Sequence, residues 1–226
     1  MRIAILGTRG IPNNYSGFEQ FAEFFSVYLV EKGHEVYVYN SHNHLFQEKT
    51  FKGVHIIHKN DPEHQLGTFG QFIYDFNCIM DARSRNFDVI LQLGYTSNSI
   101  WFFLLPKKPI IITNMDGLEW KRTKYAKPVQ QFLKFAERLA VFSSDFLVAD
   151  SLGIQTYLKE KYNKESTYIA YGANPFDNPD ESIILNYKLE KGNYNMIMVL
   201  ILSIKVMYSS RLCKRFISFR IRLLPD

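Results

Sequence analysis

The chain has 226 residues, of which 46% are hydrophobic, 22% are charged and 15% are aromatic. This composition excludes a disordered, collagen-like or disulfide-framework protein. The formal net charge of +5 arises in the last 31 residues, which carry six basic residues and one acid, so the first 195 residues are electrically balanced. We therefore expect no nucleic acid as a partner. The two cysteines fit no scaffold or metal motif, and the first apolar run is too short for a signal peptide, which predicts a cytoplasmic protein.

Short apolar runs and helical patterns alternate along the chain, as in βαβ units around a parallel sheet. In chain order, strands are predicted over 2–7, 36–40, 54–58, 88–93, 109–113, 146–149 and 167–170. Helices are predicted from Gly17 to Gly33, over Phe69–Arg85, from about Pro128, and over Gly153–Tyr162. Because the strands are rich in Ile, Val and Leu without strict alternation, helices should cover both faces. The predicted fold class is α/β, a Rossmann-like doubly wound parallel sheet.

The first predicted helix carries signals at both ends. Ser16 stands where an N-cap residue would, and Glu19 follows three residues later, which is the spacing of a capping box. Gly33 follows the apolar pattern as a C′ residue does. The sequence therefore predicts a helix that begins directly after the loop of the first strand.

The character of the sequence changes after residue 173. Residues 1–173 are predicted to form the Rossmann-like domain, 174–195 a turn-rich linker or hinge, and 196–226 a basic tail that looks truncated or aberrant. Within that tail, Met196–Leu202 is an apolar run that predicts a strand and is too short to span a bilayer. A second α/β domain needs more residues than remain, so the second domain is predicted to be truncated or missing.

Ligands of doubly wound sheets bind outside the carboxyl ends of the strands. After the first strand, the loop that contains Arg9, Gly10, Ser16 and Gly17 ends at a helix N-terminus, where backbone N–H groups favour a phosphate. The spacing of its glycines fits neither the dinucleotide fingerprint nor the P-loop. Two alternatives stay open: the glycines only shape a turn, and Arg9 is solvated.

A second group of polar residues follows the fifth predicted strand: Asn114, Asp116, Glu119, Lys121 and Arg122. Asp116 and Glu119 are placed to orient substrate hydroxyls, and Lys121 or Arg122 to meet a phosphate. The alternative is that Asp116 caps a turn and the cations are solvated.

Two shorter segments lie at the same predicted edge. His42 and His44 form a His-x-His pair after the second strand, but no third ligand has metal-binding spacing, so we expect no metal. Tyr95 and Thr96 follow the fourth strand and are predicted to line the cleft.

Four segments resemble the N-terminal half of family 4 glycosyltransferases: Gly7–Pro12, Gly17–Glu19, Tyr39–His42 and Asp116–Arg122. The resemblance covers about residues 1–190 and is strongest to a bacterial subgroup associated with rhamnosyl transfer in capsule or cell-wall polysaccharide assembly. It implies a GT-B fold of two Rossmann-like domains. The N-terminal domain of that family receives the acceptor, often a lipid-linked sugar at the inner membrane face, and the C-terminal domain holds most of the nucleotide-sugar donor.

The resemblance also implies roles for the candidate residues. The family is retaining and metal-independent, needs no cofactor, and would use a nucleotide sugar such as dTDP-rhamnose as donor. Asp116 falls where the wider family often has a catalytic His. The donor diphosphate would contact Arg9, Gly10, Ser16 and Gly17. The acceptor would contact His42, Tyr95, Thr96, Asn114, Glu119, Lys121 and Arg122.

The chain departs from this family after Glu190, because no glutamate follows and the family's donor site needs two. The resemblance therefore predicts a glycosyltransferase half that is weak or inactive alone. An alternative is a non-catalytic module that binds an acceptor or partner and touches the inner face of the membrane through its basic tail. An NAD-dependent oxidoreductase is disfavoured, since Asn40 stands where an acid would bind ribose.

Overall fold

The computed structural model describes residues 1–14, 16–172, 180 and 182–190. The chain divides into two units, Met1–Ala173 and Asn174–Asp226. The predicted strand over Met196–Leu202 and the basic tail lie outside the described residues. The assignment of residues 174–195 as a linker or hinge stays a prediction.

Eight strands form one sheet in the first unit. They are β1 (Arg2–Leu6), β2 (Glu35–Ser41), β3 (Thr50–Phe51), β4 (Val54–Lys59), β5 (Val89–Leu93), β6 (Ile110–Asn114), β7 (Phe146–Ala149) and β8 (Thr167–Tyr168). Their order across the sheet is β3-β4-β2-β1-β5-β6-β7-β8. Every neighbouring pair is parallel except β3 with β4. The predicted fold class is confirmed.

Helices cover both faces of this sheet. They are α1 (Gly17–Glu31), α2 (Glu63–Leu66), α3 (Thr68–Arg83), α4 (Lys127–Ser143) and α5 (Leu152–Tyr162), with 3₁₀-helices at Ser99–Leu104 and Glu119–Lys121. Ala22 of α1 belongs to the same buried cluster as Ile5 of β1. Ile79 of α3 instead clusters with Ala4, whose side chain leaves β1 on the opposite face. The hydrophobic core therefore lies on both faces of the sheet, as predicted from strands rich in Ile, Val and Leu without strict alternation.

The two ends of α1 fit their sequence signals to different degrees. Ser16 is the N-cap residue with an extended backbone, but its side chain makes no capping bond. Its hydroxyl donates to the Glu19 carboxylate instead. At the other end, Gly33 has a φ of +81° and its N–H donates to the carbonyl of Val30 at 2.9 Å. The prediction for the C-terminal end of α1 is confirmed. At the N-terminal end the residues have the spacing of a capping box, but the Ser16 side chain does not make its capping bond.

The sequence did not predict four short elements of the first unit, namely β3, α2 and the two 3₁₀-helices. The two-residue strand β3 pairs with β4, and its Thr50 and Phe51 are too few to show alternation. The 3₁₀-helix Ser99–Leu104 lies in an apolar run without a 3.6-residue period, which gives no helix signal. In the second unit, α6 (Ser182–Leu185) begins where the Asp180 carboxylate accepts the N–H of Ser182 at 3.0 Å.

Candidate active site at the carboxyl edge of the sheet

The loop between β1 and α1 is held by a buried carboxylate. Glu19, in the first turn of α1, is 2% exposed. Its Oε1 accepts the backbone N–H of Arg9 at 2.8 Å and the hydroxyl of Thr8 at 3.1 Å, and its Oε2 accepts the Ser16 hydroxyl. Charge-assisted bonds of this kind are stronger than neutral ones. Glu19 therefore fixes the loop to the helix. Its sequence position had predicted a helix-capping role only.

The middle of the same loop is fixed by Asn40, which is fully buried at the end of β2. The Asn40 Oδ1 atom accepts the N–H of Ile11 at 3.1 Å, and its Nδ2 donates to the Ile11 carbonyl at 2.8 Å. Gly10 has a φ of +131°, and a Cβ atom there would lie 2.4 Å from the Asn40 side chain. Gly10 is therefore required both by its backbone conformation and by this close approach.

These contacts limit which backbone amides can bind a phosphate. The N–H groups of Arg9 and Ile11 are bonded as described, that of Gly10 donates to the Thr8 hydroxyl at 3.0 Å, and that of Asn13 donates to Glu23 at 2.7 Å. The amides of the first turn of α1, beginning at Gly17, lack intrahelical partners and are therefore candidates for binding an anion. Gly17 is exposed, and a Cβ atom there would meet no other atom within 4 Å.

Arg9, predicted to contact the donor diphosphate, lies against Glu63 at the start of α2. Its Nε and Nη2 atoms donate to the carboxylate at 2.7–2.9 Å in a bidentate ion pair. Gln71 donates to the same carboxylate at 2.8 Å. The structure thus gives the guanidinium a protein partner, and its contact with a diphosphate stays a prediction.

Beside this ion pair lies an open cleft of about 350 Å³ at the carboxyl ends of β1, β2 and β4. The residues that line it all have polar or charged side chains: Arg9, Asn14, Glu19, Ser41, Asn43, His44, Asp61, Glu63 and His64. Three of these residues are carboxylates and one is a guanidinium. A surface with more carboxylates than cations binds hydroxyl groups better than it binds phosphate, because phosphate would be repelled.

Two histidines of the segment after β2, His42 and His44, make hydrogen bonds with the backbone, whereas the His64 Nδ1 atom lies 3.3 Å from the Asn43 side-chain amide. His42 is exposed, and its Nδ1 accepts the N–H of Asp61 at 2.9 Å. His44 is buried, with its Nδ1 accepting the N–H of Phe46 at 3.1 Å and its Nε2 at 3.2 Å from the carbonyl of Pro12. Together these bonds hold the segment after β2 against the β1 loop and against the segment after β4.

A second cluster of predicted residues forms where β5 and β6 end. The Asn114 Oδ1 atom accepts the N–H of Asp116 at 3.0 Å, and its Nδ2 donates to the Tyr171 hydroxyl at 3.2 Å. Tyr95 is buried, and its hydroxyl donates to the carbonyl of Gly117 at 3.3 Å. Asp116 has a φ of +48°, an uncommon conformation that Asp tolerates better than most residues. This turn places the Asp116 carboxylate at the edge of the sheet.

Burial shapes the electrostatics of this turn. Burial raises the pKa of Asp116, with a smaller raising effect from the nearby Asp150 and a lowering one from Arg122. Burial likewise raises the pKa of Glu119, against the attraction of Arg122, whose Nη2 lies 2.8 Å from the Glu119 Oε1 atom. Raised carboxyl pKa values at a polar strand end are typical of functional sites. Arg122 neutralises part of the charge, so its proposed phosphate contact competes with Glu119.

A buried glutamate on α4 supports this turn from behind. Glu137 is 1% exposed, and its carboxylate accepts bonds from Trp120 Nε1 at 3.1 Å, Tyr157 at 2.7 Å, Tyr162 at 2.6 Å and Lys161 at 2.9 Å. Trp120 is the central residue of the 3₁₀-helix Glu119–Lys121. Glu137 therefore anchors the segment that carries Glu119 to α4 and α5.

The two remaining predicted residues, Thr96 and Lys121, lie nearer the surface. Thr96 is half-buried just after β5, and Lys121 is exposed with its Nζ 5.4 Å from the centre of the Trp120 ring. The structure thus brings the predicted residues to one edge in two adjacent clusters, because β1 and β5 are neighbours. Sequence reasoning missed Asp61, Glu63 and His64, although they follow a predicted strand at the same edge.

Among the residues that the structure describes, no group of three His, Cys, Asp or Glu side chains is arranged to hold a metal ion. In the same part of the chain, no helix has both the length and the apolarity needed to cross a bilayer.

The sheet order, its helical layers and its polar carboxyl edge define a Rossmann-like domain of the type that forms the N-terminal half of GT-B proteins. The fold is similar to that of a sucrose-phosphate synthase from Thermosynechococcus elongatus, with a TM-score of 0.62 and 12% identity over 76% of this chain. The chain spans about half of that structure, 48% of its length. Residues 1–174 match the model of the family described as "Domain of unknown function (DUF1972)", and the chain belongs to that family. No curated protein is significantly similar to it in sequence.

Proposed function

We propose that this chain is the acceptor-binding half of a glycosyltransferase that moves a hexosyl or rhamnosyl group from a nucleotide sugar to a lipid-linked or polysaccharide acceptor. The observation that carries the proposal is the polar cleft at the carboxyl edge of a fold shared with a glycosyltransferase, sucrose-phosphate synthase. Because a Rossmann-like fold alone is compatible with many functions, the proposal rests on the residues at this edge of the sheet.

The cleft suits the hydroxyl groups of an acceptor sugar. Asn43, Asp61 and His64 offer both donors and acceptors within one cleft of about 350 Å³, a volume typical of small-ligand sites. The excess of carboxylates disfavours the donor diphosphate there. We place the diphosphate instead against the first turn of α1 at Gly17, where the helix dipole favours negative charge.

In the proposed reaction, the acceptor hydroxyl oxygen forms a bond to the anomeric carbon while the bond from that carbon to the diphosphate oxygen breaks. The hydroxyl proton passes to the departing diphosphate, with retention of configuration and without a metal. Asp116 orients the reacting hydroxyl, because its carboxylate lies at the strand end, in a turn that is fixed where Asn114 accepts the Asp116 backbone N–H. The donor's nucleotide would need groups beyond those described here, so we expect weak transfer by this chain alone.

The test pairs two titrations of the full chain. Saturation-transfer NMR with a panel of methyl hexosides should show contacts that His64→Ala reduces. The matched control is His55→Ala, which removes another exposed imidazole of the β4 region, at the far end of that strand. Calorimetry with UDP-glucose and dTDP-rhamnose should show binding no tighter than the micromolar range.

Two outcomes would contradict the proposal. Equal loss of glycoside contacts in the two histidine variants would place the acceptor elsewhere. Nanomolar binding of either nucleotide sugar would mean that a complete donor site exists in this chain.

A second candidate, the non-catalytic acceptor-binding module, is favoured by one observation. Glu19, Thr8 and Asn40 already occupy loop amides that a diphosphate would otherwise use. Under this alternative, methyl hexosides bind as before, while neither nucleotide sugar produces heat or product at any concentration. Its membrane contact would come from the basic tail, which lies outside the described residues.

A further inference from the structure

We propose that an exposed aromatic surface on the α3–α4 face of the first unit docks onto an anionic lipid bilayer. We define this aromatic surface by three exposed residues, Phe103, Phe135 and Phe142, and two half-buried ones, Trp101 and Phe102. It lies away from the carboxyl-edge cleft, and the proposal goes beyond glycosyl transfer, because it requires neither donor nor acceptor.

The aromatic surface is continuous across two elements. The Phe102 ring lies 5.7 Å from that of Phe103 and 6.1 Å from that of Phe142 on α4, and the Trp101 ring lies 6.3 Å from that of Phe103. Phe103 is 63% exposed and Phe142 75% exposed. Phe135, 53% exposed, stands seven residues before Phe142 and therefore shares its helix face. Adjacent exposed aromatic rings of this kind mark interaction sites.

The charges beside these rings are positive. Between Asp88 and Asp116 the only charged residues in the sequence are Lys107 and Lys108, which are exposed and lie three and four residues after the end of the 3₁₀-helix Ser99–Leu104. Arg138 lies between Phe135 and Phe142 on the same helix face, three residues after the first. Of the acids nearby in sequence, Glu137 is buried and paired with Lys161, and Asp145 accepts the N–H of Ile111.

Aromatic rings flanked by lysine and arginine match the interface of an anionic membrane. The rings enter the headgroup–acyl boundary, and the cations stay at the level of the lipid phosphates. A second copy of the chain fits this surface less well, because a two-fold interface would put the same positive charges, Lys107 and Lys108, on both of its sides. The charges therefore favour lipid as the occupant.

The experiment is flotation of the full chain with vesicles of phosphatidylcholine, with and without phosphatidylglycerol. We expect binding to the anionic vesicles that weakens with salt. The double variant Phe103→Ser/Phe142→Ser should lower the partition coefficient roughly tenfold or more, since two large apolar side chains no longer enter the bilayer. The control Phe24→Ser removes a phenylalanine that is 61% exposed on α1, on the other face of the sheet, and should change nothing.

The charge contribution is tested separately. Lys107→Glu/Lys108→Glu should weaken binding to anionic vesicles by about tenfold or more and leave binding to neutral vesicles unchanged. The control pair Lys49→Glu/Lys52→Glu reverses two exposed lysines of the β3 hairpin. Thermal melts followed by circular dichroism verify that each variant is folded.

Three results would overturn the proposal. They are the absence of vesicle binding by the unaltered chain, equal losses in the phenylalanine variants and the Phe24→Ser control, and a dimer in light scattering that Phe142→Ser dissociates. None of them would affect methyl hexoside binding in the cleft, so this failure is distinguishable from failure of the proposed function.

Discussion

Replacement of Glu137 by alanine should destabilise the protein far more than the loss of an ordinary surface ion pair. The change leaves the indole N–H of Trp120 and the hydroxyls of Tyr157 and Tyr162 without their acceptor. A buried donor left unsatisfied costs about 1–3 kcal/mol. Removal of one partner of a buried ion pair costs about 3–5 kcal/mol. Lys161 regains some water because its side chain is 36% exposed. We therefore expect a loss of about 3–4 kcal/mol.

Urea unfolding followed by circular dichroism measures this loss by linear extrapolation. The matched control is Glu165→Ala, which breaks the ion pair between Lys159 and a glutamate whose side chain is 81% exposed. That variant should lose no more than about 1 kcal/mol. Glu137→Gln keeps the shape and one acceptor oxygen, and it should fall between the two. If Glu137→Ala were as mild as Glu165→Ala, the four-donor arrangement would not stabilise the fold, and the reasoning would be wrong.

Gly10→Ala should cost about 1–3 kcal/mol, because it strains a positive φ and forces a Cβ atom against Asn40, whereas Gly17→Ala should be neutral or stabilise by up to about 1 kcal/mol. Equal urea midpoints for the two glycine variants would contradict this. Burial raises the pKa of Asp75 to about 7, against the lowering effect of the hydrogen bond from Ser97. The folded protein therefore holds a proton that the unfolded chain releases, and this stability is fully present below about pH 4 and lost as the pH rises towards 7. Asp75→Asn should remove a slope of up to about 1.4 kcal/mol per pH unit in that window, and parallel stability profiles for the two proteins would refute the assignment. Ser151→Ala should cost about 1 kcal/mol, since the Ser151 hydroxyl oxygen accepts the N–H of Ile154 at the start of α5, and an unchanged melting temperature would exclude that cap.

The strands and the main helices could be predicted from the sequence because local signals specify them. β1, β2 and β5 are rich in Ile, Val, Leu and Tyr without strict alternation, and such runs belong to parallel strands buried on both faces. The end of α1 at Gly33 was predictable because a positive φ at this position favours glycine. The edge that carries the candidate site followed from the same information, since ligands of this fold class bind at the carboxyl ends of strands.

The partners within the site were not predictable, because they join residues that are far apart in sequence. The pair formed by Arg9 and Glu63 spans 54 positions, and that formed by Asn40 and Ile11 spans 29. No periodicity or spacing encodes such contacts. For Glu19 a local signal exists but is misleading. Its position three residues after Ser16 predicts a helix cap, whereas in the folded structure its carboxylate binds the loop before the helix.

The carboxamide of Asn40 behaves towards Ile11 as one more peptide group would. It donates to the carbonyl and accepts from the N–H of a single residue, which is how a neighbouring strand would pair with it. β2 thereby gains an extra pairing with the β1 loop, made from a side chain, beside the backbone bond that the Ser41 N–H donates to the Arg9 carbonyl. Aspartate would lack the donor, and glutamine would place the group one methylene too far. Any side chain at Gly10 would displace the Asn40 carboxamide from this pairing, so position 10 should stay glycine wherever the Asn40 contact is kept.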